Sequence, residues 1–195
     1  MNTKRLLLKS LGGVAAAPTI AAVAAAIKPA AKQLENYFPN VIVETHDGRK
    51  VRFYDDLIKG KVVIINAMYT VCTGVCPTNT ASLRSVQAAL GDRVGKEIFL
   101  YSITLQPELD SPAALRDYAK KYGVKSGWTF LTGKRPDIDL IRRKLGFYDS
   151  DPVADADIAN HAGVFRIGNE TRERWFMMPA ATSTRQIVTS VLNVI

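Results

Sequence analysis

Apolar and polar residues follow one another along the chain in patterns that predict alternating strands and helices from about residue 41 onward. Residues 62–67 are almost all apolar and mostly β-branched, which is typical of a strand buried on both faces of a sheet. From residue 78 to residue 90 the apolar side chains recur at helical spacing, until Gly91 ends the pattern. A buried strand followed by an amphipathic helix is therefore predicted in the first half of the chain.

The remaining patterns extend this alternation to the end of the chain. Two strand-like segments at 41–45 and 50–53 enclose an Asp-Gly turn and predict an N-terminal β-hairpin. Further strands are predicted at 98–104, 128–133, 162–167 and 174–177, and further helices at 112–122, 136–145 and 184–194, with an acidic loop at 149–160 and a turn at 168–170. This order predicts an α/β fold, a thioredoxin-like sandwich with an extra N-terminal β-hairpin.

Length and charge separate a folded part from an N-terminal stretch. With 195 residues, 47% of them hydrophobic and 23% charged, the chain is long enough for one domain with a proper core plus an extension. Four of the basic residues, Lys4, Arg5, Lys9 and Lys28, precede residue 32 without any acid, and they supply half of the formal net charge of +8. The mild excess that remains forms no run of like charges, which argues against nucleic-acid binding.

The first 31 residues have the layout of a targeting segment: a short basic start, an alanine-rich apolar middle and small-residue sites. Residues 3–9 resemble a twin-arginine motif in which lysine replaces the first arginine, so the Sec and Tat routes both stay open. The uncharged run at 10–27 is also near the lower length limit of a membrane anchor. We therefore predict an export signal or membrane anchor at 1–31. The domain at 32–195 is then exported, to the periplasm or the outer face of the cytoplasmic membrane, where exposed thiols become oxidised.

Both cysteines of the chain, Cys72 and Cys76, lie where the buried strand gives way to the helix. A helix N-terminus favours the thiolate, which is the form that attacks disulfides and binds soft metals. The pair has one residue more than a C-x-x-C redox motif, and Gly74 lets the enclosed loop bend. The two sulfurs could converge on one metal ion or close a small disulfide ring. A purely structural disulfide would stabilise little, because so small a ring restrains the unfolded chain weakly.

His161 is the third candidate site residue, since it follows the acidic loop and stands at the start of the strand predicted at 162–167. It can therefore project from a strand end toward the cysteine loop. Two sulfurs and one imidazole suit Cu(I), and they can also bind Cu(II) with an added ligand. Structural zinc normally takes four protein ligands, and the other histidine, His46, lies in the hairpin turn without a metal-like partner.

Several segments of the chain form one recognisable set: Lys61-Val62-Val63-Ile64-Ile65-Asn66, Tyr69-Thr70, Cys72-Thr73-Gly74-Val75-Cys76-Pro77, Pro107-Glu108-Leu109-Asp110-Ser111-Pro112, Trp128-Thr129-Phe130-Leu131-Thr132-Gly133 and His161. Together they resemble the Sco/SenC family of copper-binding thioredoxin-fold proteins that assist assembly of the CuA site of cytochrome c oxidase. The resemblance implies a copper site made of Cys72, Cys76 and His161. It also implies a partner that receives copper, namely the oxidase subunit with the CuA site or another copper protein.

One departure from the family concerns the loop after residue 104. Relatives usually carry an aspartate just before Pro107, where this chain has Gln106. Asp110 remains, and it is interpreted either as a turn residue before the Ser111 cap or as a functional acid.

Two functions fit the same residues. A copper metallochaperone would hold the ion with Cys72, Cys76 and His161 and pass it on by ligand exchange, with no substrate turned over. A thiol-disulfide oxidoreductase would instead use Cys72 and Cys76 as a redox pair that keeps partner cysteines reduced. A thiol reductant would supply the electrons. Copper delivery is the favoured prediction because the redox reaction leaves His161 without a role, and whether the protein is an enzyme stays open.

Overall fold

The computed structural model of the protein describes residues 37–158 and 163–195, and the predicted leader at 1–31 lies outside them. Within the described residues, seven strands form one sheet: β1 (Ile42–Thr45), β2 (Lys50–Arg52), β3 (Val62–Met68), β4 (Ile98–Thr104), β5 (Trp128–Gly133), β6 (Val164–Asn169) and β7 (Arg174–Pro179). The helices are α1 (Val75–Leu90), α2 (Pro112–Lys121), α3 (Arg135–Leu145), α4 (Pro152–Ala156) and α5 (Thr184–Leu192), with a π-helical turn at Phe53–Ile58 and a 3₁₀ turn at Gly91–Arg93. No helix in this part of the chain is both long and apolar enough to span a bilayer.

The sheet has the strand order β2-β1-β5-β4-β3-β6-β7. Its centre is parallel, because β3 pairs with β4 and β4 with β5 in the same direction through the helical crossovers α1 and α2. The flanking pairs are antiparallel, including the predicted N-terminal hairpin, in which Val43 lies opposite Val51. The predicted α/β sandwich with an N-terminal hairpin is confirmed.

Strand β3 is buried along its whole length and separates two cores. Because successive side chains of a strand point to opposite faces, Ile64 packs with the helices α1, α2 and α5, whereas Ile65 packs with α3 and the π-helical turn. Each fully buried isoleucine contributes roughly 1.5–3 kcal/mol of hydrophobic stabilisation. This burial holds the C-terminal end of β3, and therefore the loop that follows it, in a fixed place.

Two neighbouring loops leave the sheet at the edge where β3 and β4 end. Met68 lies opposite Thr104 in the parallel register, and the Leu105 N–H donates to the Met68 carbonyl at 2.8 Å. The loop at 69–74, which leads into α1, therefore runs beside the loop at 105–111, which leads into α2. At this edge of the sheet the cysteine loop therefore lies next to the loop at 105–111, which contains Glu108 and Asp110.

Several element boundaries differ from the predicted ones, and three of them adjoin the candidate site residues in the sequence. Helix α1 begins at Val75 rather than at residue 78, since Pro77 fits the first turn, where a missing N–H leaves no intrahelical bond unmade. The predicted acidic loop contains α4, which Asp151 caps by accepting from the Val153 N–H at 2.9 Å. Strand β6 begins at Val164 rather than at residue 162.

Strand β6 also continues through Gly168, which the sequence places in a turn. The indole ring of Trp175 on β7 lies against this glycine, and a Cβ atom at residue 168 would come within 2.2 Å of the ring. Gly168 is therefore a place of close approach inside the hairpin. The turn itself follows at residues 170–173.

Candidate metal centre

The two cysteines lie on either side of the start of α1. Cys72 is in the loop after β3, and Cys76 is in the first turn of the helix. Their exposed fractions are 7% for Cys72 and 1% for Cys76, so Cys72 is the one that reaches the surface. Neither cysteine forms a disulfide.

The thiols are in contact with each other. The Cys76 N–H donates to Cys72 Sγ at 3.4 Å, and the Cys72 N–H donates to the Tyr69 carbonyl at 3.3 Å. The Cys76 thiol and the Tyr69 hydroxyl also donate hydrogen bonds to the Cys72 sulfur. The C-x-x-x-C loop therefore brings both sulfurs to one point, as the sequence predicts for a shared metal or a disulfide.

The environment distinguishes the two thiols. Burial raises the pKa of Cys72, but hydrogen bonds from the Cys76 thiol, the Cys76 N–H, the Tyr69 hydroxyl and the Gly74 backbone outweigh it and leave the pKa below the ordinary value of 9.0. Burial is the main cause that raises the pKa of Cys76 to about 12, and its bond to Cys72 adds to the rise. The hydrogen bond to Cys72 likewise raises the pKa of Tyr69 to about 12. Cys72 is therefore the sulfur that becomes a thiolate first.

A buried carboxylate holds the start of the cysteine loop. Asp110 is fully buried, and it accepts hydrogen bonds from the Thr70 N–H at 3.2 and 3.3 Å, from the Thr70 hydroxyl, and from the Thr104 hydroxyl at 2.5 Å. The Gln106 N–H in turn donates to Thr104 Oγ1 at 2.9 Å. Asp110 thus joins the cysteine loop to the end of β4, which is more than a turn residue would do.

Sequence reasoning left the role of Asp110 open, because its partner Thr70 is 40 residues away in the chain. Tyr69 is a further site residue that its sequence pattern does not reveal, although it belongs to one of the segments that resemble the Sco/SenC family. Gln106, which stands where relatives carry an aspartate, has a buried side-chain oxygen without a hydrogen-bond partner among the described residues.

His161, the third predicted ligand, lies outside the described residues. The chain on either side of residues 159–162 is anchored: Ile158 packs in the same core cluster as Tyr69, and the Gly163 carbonyl accepts from the Ala180 N–H at 3.0 Å. Asp157 also acts electrostatically on Tyr69, which is three residues before Cys72. Residues 157 and 158, the last described residues before His161, therefore lie near Tyr69 at the start of the cysteine loop.

Among the described residues, no group of three or more histidine, cysteine, aspartate or glutamate side chains could hold a metal ion. The ligand set of Cys72, Cys76 and His161 consequently stays a prediction. His46 has a local role, because its Nδ1 accepts from the Phe130 N–H at 3.2 Å and burial lowers its pKa. This pairing satisfies the ring within the hairpin turn.

The segment before His161 is held by an ion pair that the sequence does not reveal. Both terminal nitrogens of Arg142 on α3 bind the carboxylate of Asp155 on α4, one of them at 3.0 Å. The two side chains are only 11% and 10% exposed. Arg142 also donates to the Phe147 carbonyl at 3.0 Å, so one guanidinium fastens α4 to the end of α3.

Comparison with known proteins assigns the chain to a family. A family model described as SCO1/SenC matches residues 25–195, which include the whole described fold. The chain belongs to the SCO1/SenC family. The family resemblance that the cysteine and histidine motifs indicate is thereby confirmed. Among curated SCO1/SenC relatives, the SCO2-like protein of Rickettsia conorii is 27% identical over 160 residues, which are 80% of this chain and 77% of the relative.

Solved Sco structures share the fold. ScoI of Bradyrhizobium japonicum with copper bound has 19% identity and a TM-score of 0.62, and the match covers 79% of this chain and 96% of that one. BsSco, a member of the Sco family of cytochrome c oxidase assembly proteins in which a disulfide switch is identified, has 23% identity and a TM-score of 0.63 over 79% of this chain and 90% of its own. The predicted thioredoxin-like sandwich is confirmed.

Proposed function

We propose that this SCO1/SenC protein binds one copper ion through Cys72, Cys76 and His161 and passes it to the cytochrome c oxidase subunit with the CuA site, or to another copper protein. The observation that carries the proposal is the thiol pair, in which the Cys76 N–H and Cys72 Sγ are 3.4 Å apart and both sulfurs are free. Two converging thiolates need little rearrangement to close on one ion, so the pair is already organised for metal binding.

The donor set favours copper over harder metals. Two thiolates and an imidazole are soft ligands, which suit Cu(I) and also hold Cu(II) when a further ligand joins. The burial of both cysteines limits access of water to the ion. Release requires a partner with thiols of its own, because sulfur ligands of the partner can replace Cys72, the more exposed of the two, and then Cys76.

His161 is the proposed third ligand because Ile158, three residues before it, packs against the same core cluster as Tyr69 of the cysteine loop, and Gly163, two residues after it, is held by Ala180. The relatives add support: ScoI of Bradyrhizobium japonicum has copper bound, and BsSco belongs to a family of cytochrome c oxidase assembly proteins. A metal held by two cysteines and one histidine keeps a position open through which a partner can attack.

A second candidate function is thiol-disulfide exchange, and the unequal thiols favour it. Cys72 is more exposed and has the lowered pKa, so it can attack a partner disulfide and form a mixed disulfide while one partner thiolate leaves. Cys76 would then attack Cys72 Sγ, which releases the second partner thiol and leaves a Cys72–Cys76 disulfide. A thiol reductant would restore the pair. The disulfide switch identified in BsSco is consistent with this chemistry.

The site of action proposed for either function is outside the cytoplasm. Residues 1–31 would act as an export signal or membrane anchor, and the domain at 32–195 would face the periplasm or the outer side of the cytoplasmic membrane. In an oxidising compartment the two cysteines would form a disulfide unless a reductant or a bound metal ion prevents it.

Competition for Cu(I) tests the proposal. The reduced, full-length chain is titrated anaerobically against a chelator of known affinity, together with His161→Ala and with His46→Asn as a matched control that retains a hydrogen-bond acceptor for Phe130. We expect tight one-to-one binding that His161→Ala weakens at least tenfold and His46→Asn leaves unchanged. Equal affinity in His161→Ala would remove histidine from the site and move the protein to the oxidoreductase class.

A further inference from the structure

Asp110 is an unusual residue for a loop, because its carboxylate is fully buried and yet has only neutral partners. Its donors are the backbone N–H and hydroxyl of Thr70 and the hydroxyl of Thr104. Gln106 donates its N–H to Thr104 Oγ1, so the Thr104 hydroxyl hydrogen is directed to Asp110. Every one of these contacts is a donor that stabilises negative charge.

Within residues 37–158 and 163–195, no lysine or arginine forms an ion pair with Asp110. The Arg135 guanidinium, at the start of α3, is bound instead to Glu108 and to the Leu105 carbonyl. A buried carboxylate without a cation is expensive to maintain, and an asparagine could accept some of the same hydrogen bonds at lower cost. Hydrogen bonding alone therefore does not explain why an aspartate, with its negative charge, occupies this buried position.

That charge lies beside the cysteine pair. Thr70, its main partner, is two residues before Cys72 in the same loop. Because the Thr70 N–H and hydroxyl both bind Asp110, the carboxylate is held next to the cysteine loop and its electric field acts on the sulfur pair. A cation bound by the two sulfurs would be attracted by the same field.

We propose that Asp110 is a buried counter-charge that strengthens binding of a metal ion at Cys72 and Cys76, and that it favours Cu(II) over Cu(I). The proposal rests on the proposed copper-binding function. Two thiolates balance the charge of Cu(II) and exceed that of Cu(I), so one further negative charge close by stabilises the divalent ion by one additional unit of charge. Asp110 is then a positioning residue through Thr70 and an electrostatic residue toward the metal.

The size of the effect follows from Coulomb's law. At a separation on the order of 10 Å and an effective dielectric constant of about 20, one unit of charge changes an equilibrium constant roughly tenfold. A role limited to holding the loop would change the affinities for both ions by the same factor. The ratio of the two affinities therefore separates charge from position.

The test compares dissociation constants for Cu(II) and, anaerobically, for Cu(I) in the full-length chain with competing chelators. Asp110→Asn is the test variant, and thermal unfolding of the metal-free protein reports whether it folds. Asp151→Asn is the matched control, because it makes the same change at an exposed cap position that asparagine fills equally well. Thr70→Val keeps the charge but removes one of the hydroxyl donors.

We expect Asp110→Asn to raise the dissociation constants of both ions, and the factor for Cu(II) should be roughly ten times the factor for Cu(I). Asp151→Asn should leave both unchanged, and Thr70→Val should change both by one common factor. Equal changes for the two ions in Asp110→Asn would overturn the counter-charge role and leave only a loop contact. Failure of the wild type to bind copper would refute the proposed function, and the counter-charge role with it.

A second variant applies if Asp110→Asn does not fold. Leu109 is 62% exposed beside Asp110, so Leu109→Lys adds an opposing charge without disturbing the core. It should weaken Cu(II) binding more than Cu(I) binding, by a smaller factor than Asp110→Asn because water screens the ammonium group. Equal affinities before and after the change, for both ions, would count against the proposal.

Discussion

The unequal environments of the two cysteines lead to a prediction about their reactivity. Cys76→Ser leaves only Cys72, and Cys72→Ser leaves only Cys76, so each variant reports one thiol and no intramolecular disulfide forms. We expect the Cys72 thiol to react much faster with iodoacetamide at pH 7. Serine places a hydroxyl where the replaced thiol was, so a hydrogen bond to the remaining sulfur can still form in either variant. The two variants are therefore matched controls for each other.

The magnitude comes from the two pKa values. The pKa of Cys76 is about 12 and that of Cys72 is below 9.0, so at pH 7 the thiolate fraction of Cys72 exceeds that of Cys76 at least about a thousandfold. Intrinsic nucleophilicity falls with pKa and offsets part of this, because a Brønsted coefficient of about 0.5 reduces the difference to roughly thirtyfold. The greater exposure of Cys72 acts in the same direction.

The assay is the rate of alkylation of each reduced variant under anaerobic conditions, followed by mass spectrometry from pH 6 to pH 9.5. Alkylation of Cys72 should rise with pH and level off as the pH passes its lowered pKa. Alkylation of Cys76 should still be rising at the upper end, because its pKa is about 12. Rates within threefold of each other, or a faster Cys76, would refute the assignment of Cys72 as the thiolate of the pair.

Two further predictions concern the elements that hold the site. Gly168→Ala should lower the free energy of unfolding by about 1–3 kcal/mol in urea titrations, because its Cβ would meet the Trp175 ring. Gly163→Ala should not lower it, because a Cβ there would meet no other atom of the described residues within 4 Å. Equal stabilities would contradict the packing of β6 on β7. Arg142→Leu should lower the free energy of unfolding by about 3–5 kcal/mol, because Asp155 loses its buried partner. The exposed Arg143→Leu should cost under about 1 kcal/mol, and a similar loss in both variants would show that burial of the pair is unimportant.

Elements whose pattern is local could be predicted from the sequence. Strand β3 is a continuous run of apolar residues, and helix α2 has Ser111 as its cap and Pro112 in its first position, so both were predicted within one or two residues. The cysteine pair could be placed at the strand-to-helix junction for the same reason. Local spacing and turn chemistry carry this information.

Features that depend on contacts between distant residues could not be predicted. Gly168 and Asn169 have the composition of a turn, but the Trp175 ring on the neighbouring strand keeps them extended. The role of Asp110 depends on Thr70, far away in the chain, and nothing beside Asp110 indicates that its carboxylate is buried. His161 lies outside the described residues, and its place beside the cysteines stays a prediction.

In the proposed function, copper is held by two sulfurs and one imidazole of a single chain. X-ray absorption spectroscopy of the Cu(I)-loaded full-length protein tests this directly. The account predicts two sulfur scatterers and one nitrogen scatterer per copper, one sulfur in Cys76→Ser, and loss of the imidazole signal in His161→Ala but not in His46→Asn. Three or more sulfurs per copper, or an imidazole signal that survives His161→Ala, would contradict it.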